Sequence, residues 1–136
     1  MPLQPFNAGR ACLTISALIT AIGPYAADWS TTHVFNPRWP PHAKFHNGQT
    51  MSTGLLLGIS TAYYTWRSTS NPRDSLRTAA IMGSVYFLAG LSAILYPGAK
   101  GVDPEFGEGF PQFWLFVGCS ALPWMGFWLA RRRIPL

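Results

Sequence analysis

The chain has 136 residues, of which 11% are charged and 15% aromatic, with ten Lys and Arg against five Asp and Glu. Soluble domains carry about 25% charged residues, so an ordinary water-facing surface is excluded, and the length suits a single domain, 1–136. The formal charge of +5 does not point to nucleic acid, because the basic residues punctuate apolar runs instead of forming a basic face.

The first apolar segment is Ala11–Ala27. Arg10 before it and the Ala26-Ala27 pair give it something of a signal peptide. Tyr25 would then stand three residues before the cut, where a small residue is wanted, so the segment is read as a helix.

Asp28–Thr53 follows, and it holds all three histidines of the chain, His33, His42 and His46. Pro40-Pro41 suits a helix start. A helix from Pro41 to Trp66 would run about 39 Å at 1.5 Å per residue. His42, His46, Gln49 and Thr53 then share one face, a polar stripe that starts outside the membrane and descends into it. Lower down, Gly54-Leu-Leu-Leu-Gly58 has the small-residue spacing that lets a neighbouring helix approach closely.

Thr78–Pro97 is the third apolar segment, with Ser84, Tyr86 and Ser92 as polar groups available to a cavity. The loop Gly101–Phe110 is acidic. Phe113–Ala130 is the fourth segment, interrupted by Pro123, which cannot donate its backbone hydrogen bond and crowds the carbonyl of Cys119. Cys12 and Cys119 both lie inside apolar runs, so no disulfide framework is implied.

None of the four segments, of which Met51–Trp66 is the second, contains Asp, Glu, Lys, Arg or His. A membrane-crossing helix needs about 20 apolar residues, which the third and fourth segments supply and the first two approach. The expected fold is an all-α integral membrane bundle of four transmembrane helices. Arg10, Arg67, Arg73, Arg77 and Arg131-Arg132-Arg133 then fall on one side, so the positive-inside rule makes both N and C termini cytoplasmic. Asp28, Asp103, Glu105 and Glu108 share the other side with the histidines. Trp29, Trp66, Trp114 and Trp128 fall near span ends, as interface anchors do. The membrane would be the endoplasmic reticulum in a eukaryote and the plasma membrane in a bacterium.

The histidine stretch supports three readings. In the first, Asp28 tunes His42 or His46, which donates a proton to a lipophilic substrate without any cofactor, as in isomerases and cyclases. Asp28, His33, His42 and His46 are its catalytic candidates. Asn36, Trp39, Gln49, Thr53, Asp103 and Glu105 are its binding candidates, the last two closing the site from the acidic loop. In the second, His33, His42 and His46 hold Zn or Fe, with Asp28 as a fourth ligand. Ala43 stands where helical zinc hydrolases have Glu. In the third, the loop is only a stabilised turn in a non-catalytic binding or accessory protein. Ser30, Thr31 and Thr32 flank His33, but a hydroxyl adjacent in sequence to its base is not triad geometry. The partners expected are a lipophilic small molecule and membrane lipid, and the small-residue helix faces permit a homo-oligomer.

The string Asp28-Trp29-Ser30-Thr31-Thr32-His33-Val34-Phe35-Asn36-Pro37-Arg38-Trp39-Pro40-Pro41-His42-Ala43-Lys44-Phe45-His46 resembles the signature of a family of small four-span membrane proteins of fungi and bacteria. Some of these accompany natural-product gene clusters. More loosely, the chain is similar to emopamil-binding-type sterol isomerases and small membrane terpene cyclases, which keep acid/base residues in a cavity between helices. Its apolar spans lack their buried carboxylates, so no catalytic residue carries over. The resemblance implies a membrane enzyme of secondary metabolism.

Overall fold

The computed structural model describes residues 5–132. Arg133 of the basic tail lies outside them. The described residues form four helices and no strand: α1 (Ala8–Asp28), α2 (Pro41–Trp66), α3 (Pro72–Ala93) and α4 (Phe113–Arg131).

The helix starts follow from local chemistry. Asn7 caps α1 by accepting from the Arg10 amide at 3.0 Å. Pro41 opens α2 at the position where a missing N–H costs nothing. Asn71 caps α3 by accepting from the Asp74 amide at 3.1 Å, with Pro72 next. The third segment, predicted from its lack of charge as Thr78–Pro97, is therefore shifted. Its helix takes in Arg73, Asp74 and Arg77 and stops at Ala93.

The helices pack in ring order, α1 against α2, α2 against α3, α3 against α4 and α4 back against α1. Across the diagonals α1 touches α3, but α2 and α4 do not meet among the described residues. Glycines set the close approaches. A Cβ on Gly54 would lie 2.6 Å from Pro24 Cγ, and one on Gly58 would lie 2.6 Å from the Ala17 carbonyl, so the small-residue face of α2 seats on α1. Gly9 and Gly126 bring α1 and α4 together in the same way. Pro123 is buried beside Gly83 of α3. Cys12 and Cys119 are free thiols.

Small and hydroxyl side chains fill much of the interior, including Ser16, Thr20, Thr61, Thr65, Ser84 and Ser120. Large apolar side chains face outward on every helix, among them Ile22, Leu56, Leu88 and Leu129. This suits a bundle solvated by lipid, where small residues allow close helix packing and apolar ones gain nothing by burial. By length and composition α1, α3 and α4 can each cross a membrane, which points to a membrane location. α2 is not in that set: His42, Lys44, His46, Asn47 and Gln49 occupy its first turns, and the rest of it is rich in Ser, Thr, Gly and Tyr.

Candidate functional site

Asp28 is the last residue of α1. A carboxylate there faces the carbonyl end of the helix dipole, an unfavourable position by about 0.3–1 kcal/mol. Two side chains offset this. Asn47 Nδ2 of α2 donates to Asp28 Oδ2 at 2.7 Å, and His33 Nε2 lies 3.6 Å from Asp28 Oδ1. The chain between them folds back in tight turns, with the Val34 amide donating to the Asp28 carbonyl at 3.3 Å. His33 is held from its other nitrogen, Nδ1, by Thr32 Oγ1 at 2.8 Å, and that hydroxyl is bonded in turn to Ser30 Oγ at 2.8 Å. The three hydroxyls beside His33 thus supply an orienting relay through two of their number.

The predicted stripe on α2 forms a second unit. His42 Nε2 and His46 Nε2 are 3.0 Å apart, and His46 Nδ1 lies 3.2 Å from Gln49 Oε1. A bond between two imidazole nitrogens needs one protonated and one bare. With Gln49 Oε1 accepting from His46 Nδ1–H, a neutral His46 presents a bare Nε2 to the N–H of His42. From a protonated His42 a proton can then pass to His46, the member of the pair that lines the cavity. Asp28 sits with His33, not with the His42–His46 pair that sequence reasoning gave it to tune. Among the described residues no three His, Cys, Asp or Glu side chains gather round one point where they could hold an ion. The His42–His46 pair offers two converging nitrogens, and His33 does not join it.

The acidic loop meets the histidine loop, as expected. Arg38 pairs with Glu105, whose Oε1 also accepts from Asn36 Nδ2 at 3.2 Å. Asp103 Oδ2 accepts from Trp39 Nε1 at 3.0 Å. Asn36 is buried and closes its own turn by accepting from the Arg38 amide at 2.9 Å. Asn36, Asp103 and Glu105 therefore clip two loops together and hold Trp39 in place, edge-on to His33 with ring centroids 5.2 Å apart.

Beneath this clip lies a cavity of about 880 Å³, between the end of α1, the first half of α2, the end of α3 and the start of α4. It occupies the diagonal across which α2 and α4 do not meet. Asp28, His33, Trp39, His46, Gln49 and Thr53 of the predicted site line it, whereas His42, Asn36, Asp103 and Glu105 stand behind the wall. On α2 the lining runs from Ala43 to Leu57, about 21 Å at 1.5 Å per residue. The upper part is polar, and the lower part is walled by Ile19, Leu57, Phe87, Phe116 and Cys119.

Sequence reasoning missed Asn47, Lys100 and Gln112, all of which line the cavity, and gave Tyr86 no definite place. Asn47 is buried at 7% exposure, and its Oδ1 has no hydrogen-bond partner among the described residues. An unpaired buried carbonyl costs about 1–3 kcal/mol, and this one is closed off from the cavity, so it accepts from a bound molecule only once the Asn47 side chain turns. The Asp28–Asn47 pairing leaves no local pattern in the sequence. The only signal available was an amide beside the histidine stripe.

Residues 12–135 match a family described as being of unknown function, DUF6640. The chain belongs to this family. No curated protein and no solved structure matches it.

Proposed function

We propose that the chain is a four-span membrane enzyme that isomerises or cyclises a lipophilic substrate by acid–base chemistry, with no cofactor. Both termini lie in the cytoplasm, and the site opens at the opposite membrane surface. The observation that carries this reading is that two separately supported imidazoles, His33 and His46, face one cavity that is polar above and apolar below. An alkene or enol shift needs a proton delivered to one atom and another removed elsewhere, with no net consumption. His46, resupplied through His42, delivers the proton. His33 accepts the other, and the Asp28 carboxylate stabilises the imidazolium that forms. The apolar lower part takes the hydrocarbon body of the substrate, while Gln49 orients its polar end.

The crossing of α2 rests on its pairing with α1. At one end Asn47 bonds Asp28, and at the other Arg10 bonds the Thr65 carbonyl while Trp66 Nε1 donates to Thr14 Oγ1 at 3.0 Å. α2 therefore extends as far as a helix that can itself cross. Its polarity is also less than its composition implies. Thr50, Ser60, Thr61 and Thr65 each donate to the carbonyl four residues earlier, which satisfies the hydroxyl within the helix.

Metabolite profiling of a deletion strain complemented with wild type, His33→Ala or His46→Ala tests the chemistry. A positioned general acid or base contributes about 10²–10⁴-fold, so each variant should lose the product to that degree. Each should also keep wild-type expression and a monodisperse detergent peak. Wild-type product from both variants would remove the reading. Elemental analysis separates it from metal-assisted chemistry: near-stoichiometric Zn or Fe that is lost in His42→Ala/His46→Ala would replace proton transfer by a metal site.

A further inference from the structure

At the end of the bundle away from the histidines, a groove of about 490 Å³ lies between the first turns of α3 and the last turns of α4. Arg73 and Arg77 of α3 and Arg131 of α4 line it, against a single carboxylate, Asp74. None of the three arginines forms an ion pair with a described carboxylate. The Arg131 guanidinium lies over the Trp128 ring at 3.2 Å from its centroid, and Trp124 forms the inner wall. Stacking of this kind fixes the guanidinium plane through its face and leaves its N–H edge free for a ligand. Three like charges gathered round one carboxylate still repel each other, an arrangement that an added anion would relieve. The proposed catalytic chemistry makes no use of it.

We infer that this groove is a binding site for the phosphate of an anionic phospholipid, held by Arg73, Arg77 and Arg131. The same chemistry would accept free phosphate, and the position decides between the two. Half-exposed Trp128 stands at the groove, and exposed Leu129 and Met125 continue from it along the lipid-facing surface of α4. A headgroup seated on the arginines can thus lay its acyl chains along that surface, an arrangement inorganic phosphate cannot exploit. Guanidinium groups bind phosphate oxygens in a bidentate fork, and basic pockets between membrane helices are suited to acidic headgroups.

Native mass spectrometry of the full chain released from detergent tests this, with phosphatidylglycerol, phosphatidylcholine of the same acyl chains and inorganic phosphate each titrated separately. Phosphatidylglycerol should bind at least ten-fold more tightly than either of the others. Removing a guanidinium should weaken it about five-fold, so Arg73→Gln/Arg77→Gln/Arg131→Gln should abolish the adduct. If that variant loses its monodisperse elution, the single variants Arg73→Gln and Arg77→Gln replace it, since both residues are exposed on the first turns of α3. Equal binding of the two lipids, tighter binding of inorganic phosphate, or unchanged affinity in folded variants would each overturn the proposal.

Discussion

The Asp28 side chain is only 15% exposed and stands at the carbonyl end of α1, so its charge depends on the donors that reach it. Asn47 is the nearer at 2.7 Å, against 3.6 Å for His33. Replacing Asn47 by the similarly sized Leu removes the donor and leaves the carboxylate in place. Stranding the carboxylate costs about 1–3 kcal/mol, and removing the unpaired Asn47 Oδ1 returns part of that, so the expected net loss is about 1 kcal/mol. Reversible unfolding in mixed micelles measures it, and Asp28→Asn/Asn47→Leu should recover part of the loss by removing the charge. A loss below about 0.5 kcal/mol in Asn47→Leu would show that the bond contributes little. At this scale Asp28 and the histidines were legible, because a chain so poor in charge gathers them in one stretch. Their pairing was not. Which imidazole Asp28 meets depends on how the loop over 29–40 turns and on where α2 lies against α1, and neither is recorded in residue spacing.

Among the helices, α2 was the most legible, since Pro40-Pro41 marks its start and the histidine stripe gives its face. The start of α3 was misplaced because the sequence was divided by charge, whereas the Asn71-Pro72 cap begins the helix before the charges end. The glycines of α2 separate two roles that their residue type does not distinguish. Gly58 touches the backbone of α1, where an added Cβ would lie 2.6 Å from the Ala17 carbonyl and 2.7 Å from the Ala21 amide. Gly48 has nothing within 4 Å of an added Cβ. Gly48→Ala should therefore stabilise the protein by up to about 1 kcal/mol through helix propensity. Gly58→Ala should cost about 1–3 kcal/mol, because the helices must separate to admit the methyl. The same unfolding assay checks both, and effects of equal sign and size would contradict the close α1–α2 seam.

For the whole molecule, the number of crossings decides which side each functional surface occupies, and parity makes it measurable. If α2 crosses with α1, α3 and α4, the chain ends on the side where it began. If only those three cross, the termini lie on opposite sides. Four crossings also place the histidine loop and the acidic loop together, and the Arg38–Glu105 and Trp39–Asp103 contacts require those loops to meet. A three-span arrangement with α2 lying along the surface would have to break the bonds that tie α2 to α1 at both ends, Asn47 to Asp28 and Arg10 to Thr65. Single cysteines near each terminus and in each loop, introduced into a Cys12→Ser/Cys119→Ala background, can be labelled with a membrane-impermeant maleimide in sealed vesicles. Both termini and the short loop over 67–71 should be protected together. Cysteines at Thr31 and Glu108 should label, in the opposite sense to the termini. Opposite labelling of the two termini would remove the fourth crossing and, with it, the shared face on which the two loops build their cavity.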